Sequence, residues 1–90
     1  MENKVSPERI EYILDNSDID VKTLFDKVTV VTCKLPNGFV LVESSGAVDK
    51  RNYDLVMGKG VCMKKIEDKI WELEGYALAN SIINNKASEK

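Results

Sequence analysis

The chain contains no histidine. A Ser-His-Asp or Cys-His relay is therefore impossible, and a zinc site loses its commonest nitrogen ligand. Only two cysteines occur, Cys33 and Cys62, and no CxxC spacing joins them. In a reducing compartment they read as buried thiols. No apolar run is long enough to span a bilayer, and no charged-then-apolar leader opens the chain. The product is expected in the cytoplasm where it is made, with no membrane partner. Neither sign of charge dominates: 13 basic against 15 acidic residues leave a net charge of −2. That balance gives no global argument for nucleic acid, and no recognition-helix pattern points to specific DNA binding. Repeats, low-complexity segments and linkers are also missing. The expectation is a protein that is not an enzyme, with no catalytic residues, no metal and no cofactor.

Ninety residues make one domain, 1–90, near the low end of what one hydrophobic core holds together unaided. Such a chain buries only about 60–65% of its unfolded surface, so association with itself is a plausible further source of stability. Charge is unevenly spread. Residues 1–20 carry Glu2, Glu8, Glu11, Asp15, Asp18 and Asp20 against Lys4 and Arg9, whereas residues 50–65 carry Lys50, Arg51, Lys59, Lys64 and Lys65 against Asp54 alone.

Ser6-Pro7-Glu8-Arg9 is a helix start: Ser6 can cap free N–H groups, Pro7 suits the first helical position, and Glu8 complements the dipole. Ile10, Ile13 and Leu14 share one face, predicting a helix over about residues 7–16. Val21, Leu24 and Phe25 share helical spacing while residues 18–21 alternate; a short helical turn is preferred, making 1–26 an N-terminal helical segment. Lys27 to Leu35 is β-branched and alternating, Pro36-Asn37-Gly38 is turn chemistry, and Phe39 to Ser44 returns. This predicts an antiparallel β-hairpin over 27–45. Val31, Cys33 and Leu35 occupy one face of its first strand, and Val28, Val30 and Thr32 the other. Neither face is plainly polar, so the long helix is expected to cover one and another subunit the other.

From about residue 54 to 84, Cys62, Ile66, Ile70, Leu73 and Ala77 recur at helical spacing. Gly58-Lys59-Gly60 is expected to break or delay this helix, or to serve close backbone packing; a phosphate cradle is the sharper alternative, but the P-loop pattern is missing. Residues 84–90 are expected to fray. The fold class is thus α+β: a short N-terminal helix, a hairpin, and a long C-terminal helix packed on the sheet, in a homo-oligomer.

Candidate ligand-binding residues follow from chemistry. Lys50, Arg51, Lys59 and Lys64 could meet phosphates, Asn52 could bond a ribose, and Tyr53 or Phe39 could stack on a base; the alternative is a solvated basic surface balancing the acidic helix. Trp71 and Tyr76 beside Gly75 are candidates for an oligomer contact, the alternative for Trp71 being packing within the chain. Glu43, Asp49 and Asp54 flank one loop without anything fixing their separation. Glu67, Asp68, Glu72 and Glu74 read as a solvated helix face.

Asn37-Gly38-Phe39, Glu43-Ser44-Ser45, Asn52-Tyr53-Asp54 with Gly58 four residues on, and Lys69-Ile70-Trp71-Glu72-Leu73-Glu74-Gly75-Tyr76 resemble the phage gene-66-like family of small tailed-phage proteins. The resemblance covers about residues 27–78, leaving the N-terminal helix outside, and Gly60-Val61 departs from the uniform helix expected of relatives. It implies a phage source and a life in the host bacterial cytoplasm, but no defined activity. Small phage proteins of this build often act on host defence, as the anti-Thoeris and anti-CBASS sponge proteins do; that is analogy of context. Two readings follow: sequestration of a nucleotide second messenger, of the cyclic nucleotide or cyclic ADP-ribose type, by a homo-oligomer, or direct binding of a host protein.

Overall fold

The computed structural model describes residues 4–88, with side chains described as far as residue 85. The first helix, α1, spans Pro7–Asp15, and the residues that start it do so as expected. Ser6 Oγ accepts from Arg9 N at 3.2 Å, and Pro7 contributes no N–H that would need a partner. Ile10 and Ile13 are buried. Asn16 ends the helix, its side chain donating to the Tyr12 carbonyl at 2.8 Å.

Three strands follow in sequence order: β1 Asp18–Leu24, β2 Val28–Lys34 and β3 Val40–Gly46, all antiparallel, with β2 central. The hairpin of β2 and β3 is the predicted one. Leu35 N donates to Phe39 O and Gly38 N to Leu35 O, both at 2.8 Å, with Gly38 at φ 93° where only glycine is comfortable. The helical turn expected within 18–25 is corrected to β1. Alternation prevails over helical spacing there because Val21 turns toward the core when paired opposite Val31.

The last helix, α2, runs unbroken from Leu55 to Ser88, correcting both the break at Gly58-Lys59-Gly60 and the end at residue 84. Residues 89–90 lie outside the described part. Asp54 starts α2 by accepting from Met57 N at 3.1 Å. At about 1.5 Å per residue α2 is roughly 50 Å long, most of the molecule's 62 Å extent. Its first half covers the face of Val31, Cys33 and Leu41 with Cys62, Ile66 and Ile70. Beyond Leu73 it overhangs the sheet, steadied by α1 through Arg9 Nε to Glu74 Oε1 at 2.9 Å. Glu74 is thus a half-buried ion-pair partner rather than part of a solvated face.

No described element covers the opposite sheet face. Val28 and Val30 are half-buried there, and Leu24, Val40 and Val42 are exposed. Of the two sheet edges, that of β3 is partly blocked: Lys65 Nζ donates to the Ser44 carbonyl at 2.9 Å.

Candidate functional site at the η1 corner

Where β3 ends, Ala47 N donates to Lys27 O at 2.8 Å, and the chain leaves the sheet for a short 3-10 turn, η1, at Lys50–Asn52. Asp49 caps it, accepting from Arg51 N at 2.9 Å while gripping the guanidinium at 2.6 Å. The Arg51 hydrogen bonds hold the Asp49 carboxyl below the usual carboxylate range. Tyr53 then lies back over the sheet. Its hydroxyl stands 2.7 Å from Thr23 Oγ1 and 2.8 Å from Thr29 Oγ1, joining β1 and β2 through one atom.

Beside this corner is an open hollow of about 170 Å³ walled by Ser45, Ala47, Asn52, Tyr53, Met57 and Val61. Of the predicted ligand residues, Asn52 and Tyr53 border it. Lys50 and Arg51 stand next to it on η1, both exposed, with Arg51 already engaged by Asp49. Lys59 is exposed one residue beyond Gly58. Lys64 is about 200° around the helix from buried Cys62 and pairs with Asp68 at 3.0 Å, which raises its pKa. Lys65, the remaining cation of the basic cluster, is held by Ser44. Phe39 is not at this corner at all: it follows the other turn, about 20 Å away along β3.

The predicted oligomer residues also divide. Trp71 is half-buried against the core beside Pro7, Ile10 and Leu14 of α1, the within-chain alternative. Gly75 has nothing within 4 Å of where a Cβ would stand, and Tyr76 is 71% exposed. Glu43, Asp49 and Asp54 do not converge: among the described residues no group of three or more His, Cys, Asp or Glu could share a metal ion. A wider trough of about 490 Å³ runs between Val5–Arg9 and Glu74–Leu78, but Arg9 there is paired with Glu74.

Sequence reasoning missed Thr23 and Thr29 as partners of Tyr53, and missed Phe25 as a surface residue. Phe25 and Asp26 are the central residues of a β-turn closed by Lys27 N donating to Leu24 O at 3.1 Å, within the three-residue β1–β2 connection; both have positive φ (56° and 54°), and Phe25 is 87% exposed. No Gly or Asn marks that turn, so the usual signal was lacking.

An unbroken helix on a three-stranded antiparallel sheet, with a polar corner where β3 ends and α2 begins, defines a small α+β domain. Residues 5–82 match the family described as Phage protein (N4 Gp49/phage Sf6 gene 66), so the chain belongs to that family, α1 included. No curated protein and no solved structure matches it. Among the described residues, no helix is long and apolar enough to cross a membrane.

Proposed function

We propose that this phage protein acts against host defence in the bacterial cytoplasm, sequestering a nucleotide immune signal of the cyclic nucleotide or cyclic ADP-ribose type without turning it over. The observation that carries this reading is the hollow at the η1 corner. Asn52 offers an amide and Tyr53 a ring edge, with the cations of Lys50 and Arg51 alongside. At about 170 Å³ the hollow is smaller than the roughly 300–1,000 Å³ of sites that enclose a small ligand. One chain therefore supplies a half-site, and a second copy completes it.

Two surfaces favour self-association. No described element covers the valine-bearing sheet face, and the α2 overhang presents Gly75 and Tyr76 to solvent. Lys59, exposed on α2 between the wall residues Gly58 and Val61, stands beside the corner, whereas Lys64 and Phe39 belong to the same ligand site only as contributions from the neighbouring copy, because Lys64 is paired with Asp68 and Phe39 lies at the far end of the sheet.

Native mass spectrometry of the protein with cyclic di-AMP, cyclic GMP-AMP, ADP-ribose and cyclic ADP-ribose tests the reading. A defined oligomer that gains unaltered ligand in whole-number ratios supports it. An intact protein that takes up none of the four removes it.

A second reading is favoured by α1 and the residue that opens β1. Glu8, Glu11 and Asp15 of α1 and Asp18 of β1 are exposed and make no ion pair among the described residues, a negative surface suited to a basic host protein. Deleting residues 1–20 would not test it, because Ile10 and Ile13 belong to the core. The combined substitution Glu8→Lys, Glu11→Lys and Asp15→Lys should keep the fold and abolish anti-defence activity if a host protein is the target. Retained activity with all three reversed argues against this reading.

A further inference from the structure

We infer that Phe25, at the tip of the β1–β2 turn, is the aromatic surface on which the base of the bound nucleotide stacks; this rests on the sequestration reading and names the residue it lacks. A base needs a ring, and Phe39, the ring suggested by its place after a turn, stands at the far end of the sheet. Phe25 stands at the right end. Two residues before it, Thr23 holds the hydroxyl of Tyr53; two residues after it, the Lys27 carbonyl holds Ala47. Tyr53 and Ala47 both wall the hollow.

Phe25 is also costly where it is. A β-turn whose two central residues are both left-handed suits Asn-Gly, and a bulky side chain at φ 56° is strained. The fold gains little in return, since the residue is 87% exposed. A strained backbone that presents a bare ring to solvent is the pattern of a contact made with something outside the chain. Val48, 96% exposed, extends the apolar rim from the strand β3 side. Lys27 and Lys50 make no ion pair or side-chain hydrogen bond among the described residues, leaving both ammonium groups available to phosphate. Asp26 is the uncompensated acid of this rim; Asp49 is engaged by Arg51, and Asp54 caps α2.

The test compares F25G, F25W and F39A with the unsubstituted protein against the same four nucleotides, by native mass spectrometry and calorimetry. Glycine relieves the left-handed strain, so F25G folds at least as well and its losses are not losses of fold. F25G is expected to weaken binding roughly 5- to 150-fold, the range of one base–aromatic stack. F25W should bind about as tightly as the original, and F39A should weaken binding less than F25G does. Equal affinity of F25G and the original overturns the inference while leaving sequestration standing. A change of oligomer size with unchanged ligand per subunit also overturns it, making Phe25 a contact between copies. If the unsubstituted protein takes up none of the four, the sequestration reading falls and this inference falls with it.

Discussion

Gly58 of α2 lies directly on Thr29 of β2: a Cβ built on the glycine would stand 2.9 Å from Thr29 Cβ and closer still to its hydroxyl. The helix reaches the sheet this closely because no side chain intervenes, and Thr29 is fully buried as a result. Ala at position 58 gains up to about 1 kcal/mol of helix propensity but meets backbone-anchored atoms that cannot swing aside. Gly58→Ala should therefore be less stable by about 1–2 kcal/mol. Gly75→Ala, with nothing within 4 Å, should be more stable by up to about 1 kcal/mol. Urea unfolding of the two variants checks the opposite signs; a stabilised Gly58→Ala would refute the contact.

Tyr53 and Thr29 make a second dependent pair. Removing the phenol hydroxyl leaves the buried Thr29 hydroxyl without its partner, so Tyr53→Phe should cost about 1–3 kcal/mol. In the double variant with Thr29→Val no stranded hydroxyl remains, and most of that loss should return. Equal unfolding midpoints for the single and double variants would show that the bond carries little.

Trp71 and Tyr76 lie five residues apart and should respond differently. Trp71 packs on α1, and Trp71→Ala should lower stability by about 2–3 kcal/mol. Tyr76 is exposed, and Tyr76→Ala should change the stability of a single chain by no more than about 0.5 kcal/mol. If α2 joins the copies, the same variant shifts the oligomer toward smaller species in sedimentation velocity. An unshifted oligomer would place the contact on the sheet face instead.

Cys33 and Cys62 are buried and unpaired. Burial pushes the Cys62 thiol upward in pKa, Lys65 opposes the shift and Glu43 adds to it. The folded state thus favours the neutral thiol. This contribution is fully present below the unfolded thiol's ordinary value of about 8.5 and is lost as pH rises through the raised folded value. Iodoacetamide at pH 7–8 should label neither cysteine faster than the protein unfolds, and denaturant should expose both. Rapid labelling of the native protein would contradict the burial.

The elements written in local chemistry are those the chain states outright. Ser6 and Pro7 start α1, Pro36-Asn37-Gly38 closes the β2–β3 hairpin, and the spacing of Cys62, Ile66 and Ile70 lays α2 on the sheet. These signals act within about four residues, through a cap, a turn or one helical face. The strand β1 was hidden because Leu24 and Phe25 add helical spacing to an alternating segment, and because Phe25 occupies a left-handed turn position that Gly or Asn usually marks. The motif Asn52-Tyr53-Asp54 with Gly58 was legible as a pattern, but its structural meaning was not.

From the sequence alone came the α+β class, the family resemblance, and the absence of a histidine relay. Tertiary structure alone decided that Gly58 would not end the helix, that Phe39 and Tyr53 lie at opposite ends of the sheet, and that Lys64 and Lys65 are already engaged. The physical reason is separation along the chain. Tyr53 meets Thr29 from 24 residues away and Thr23 from 30, and Cys62 reaches the Thr29 carbonyl from 33. Contacts of that span arise only when the sheet and helix pack, and no spacing within a single element encodes them.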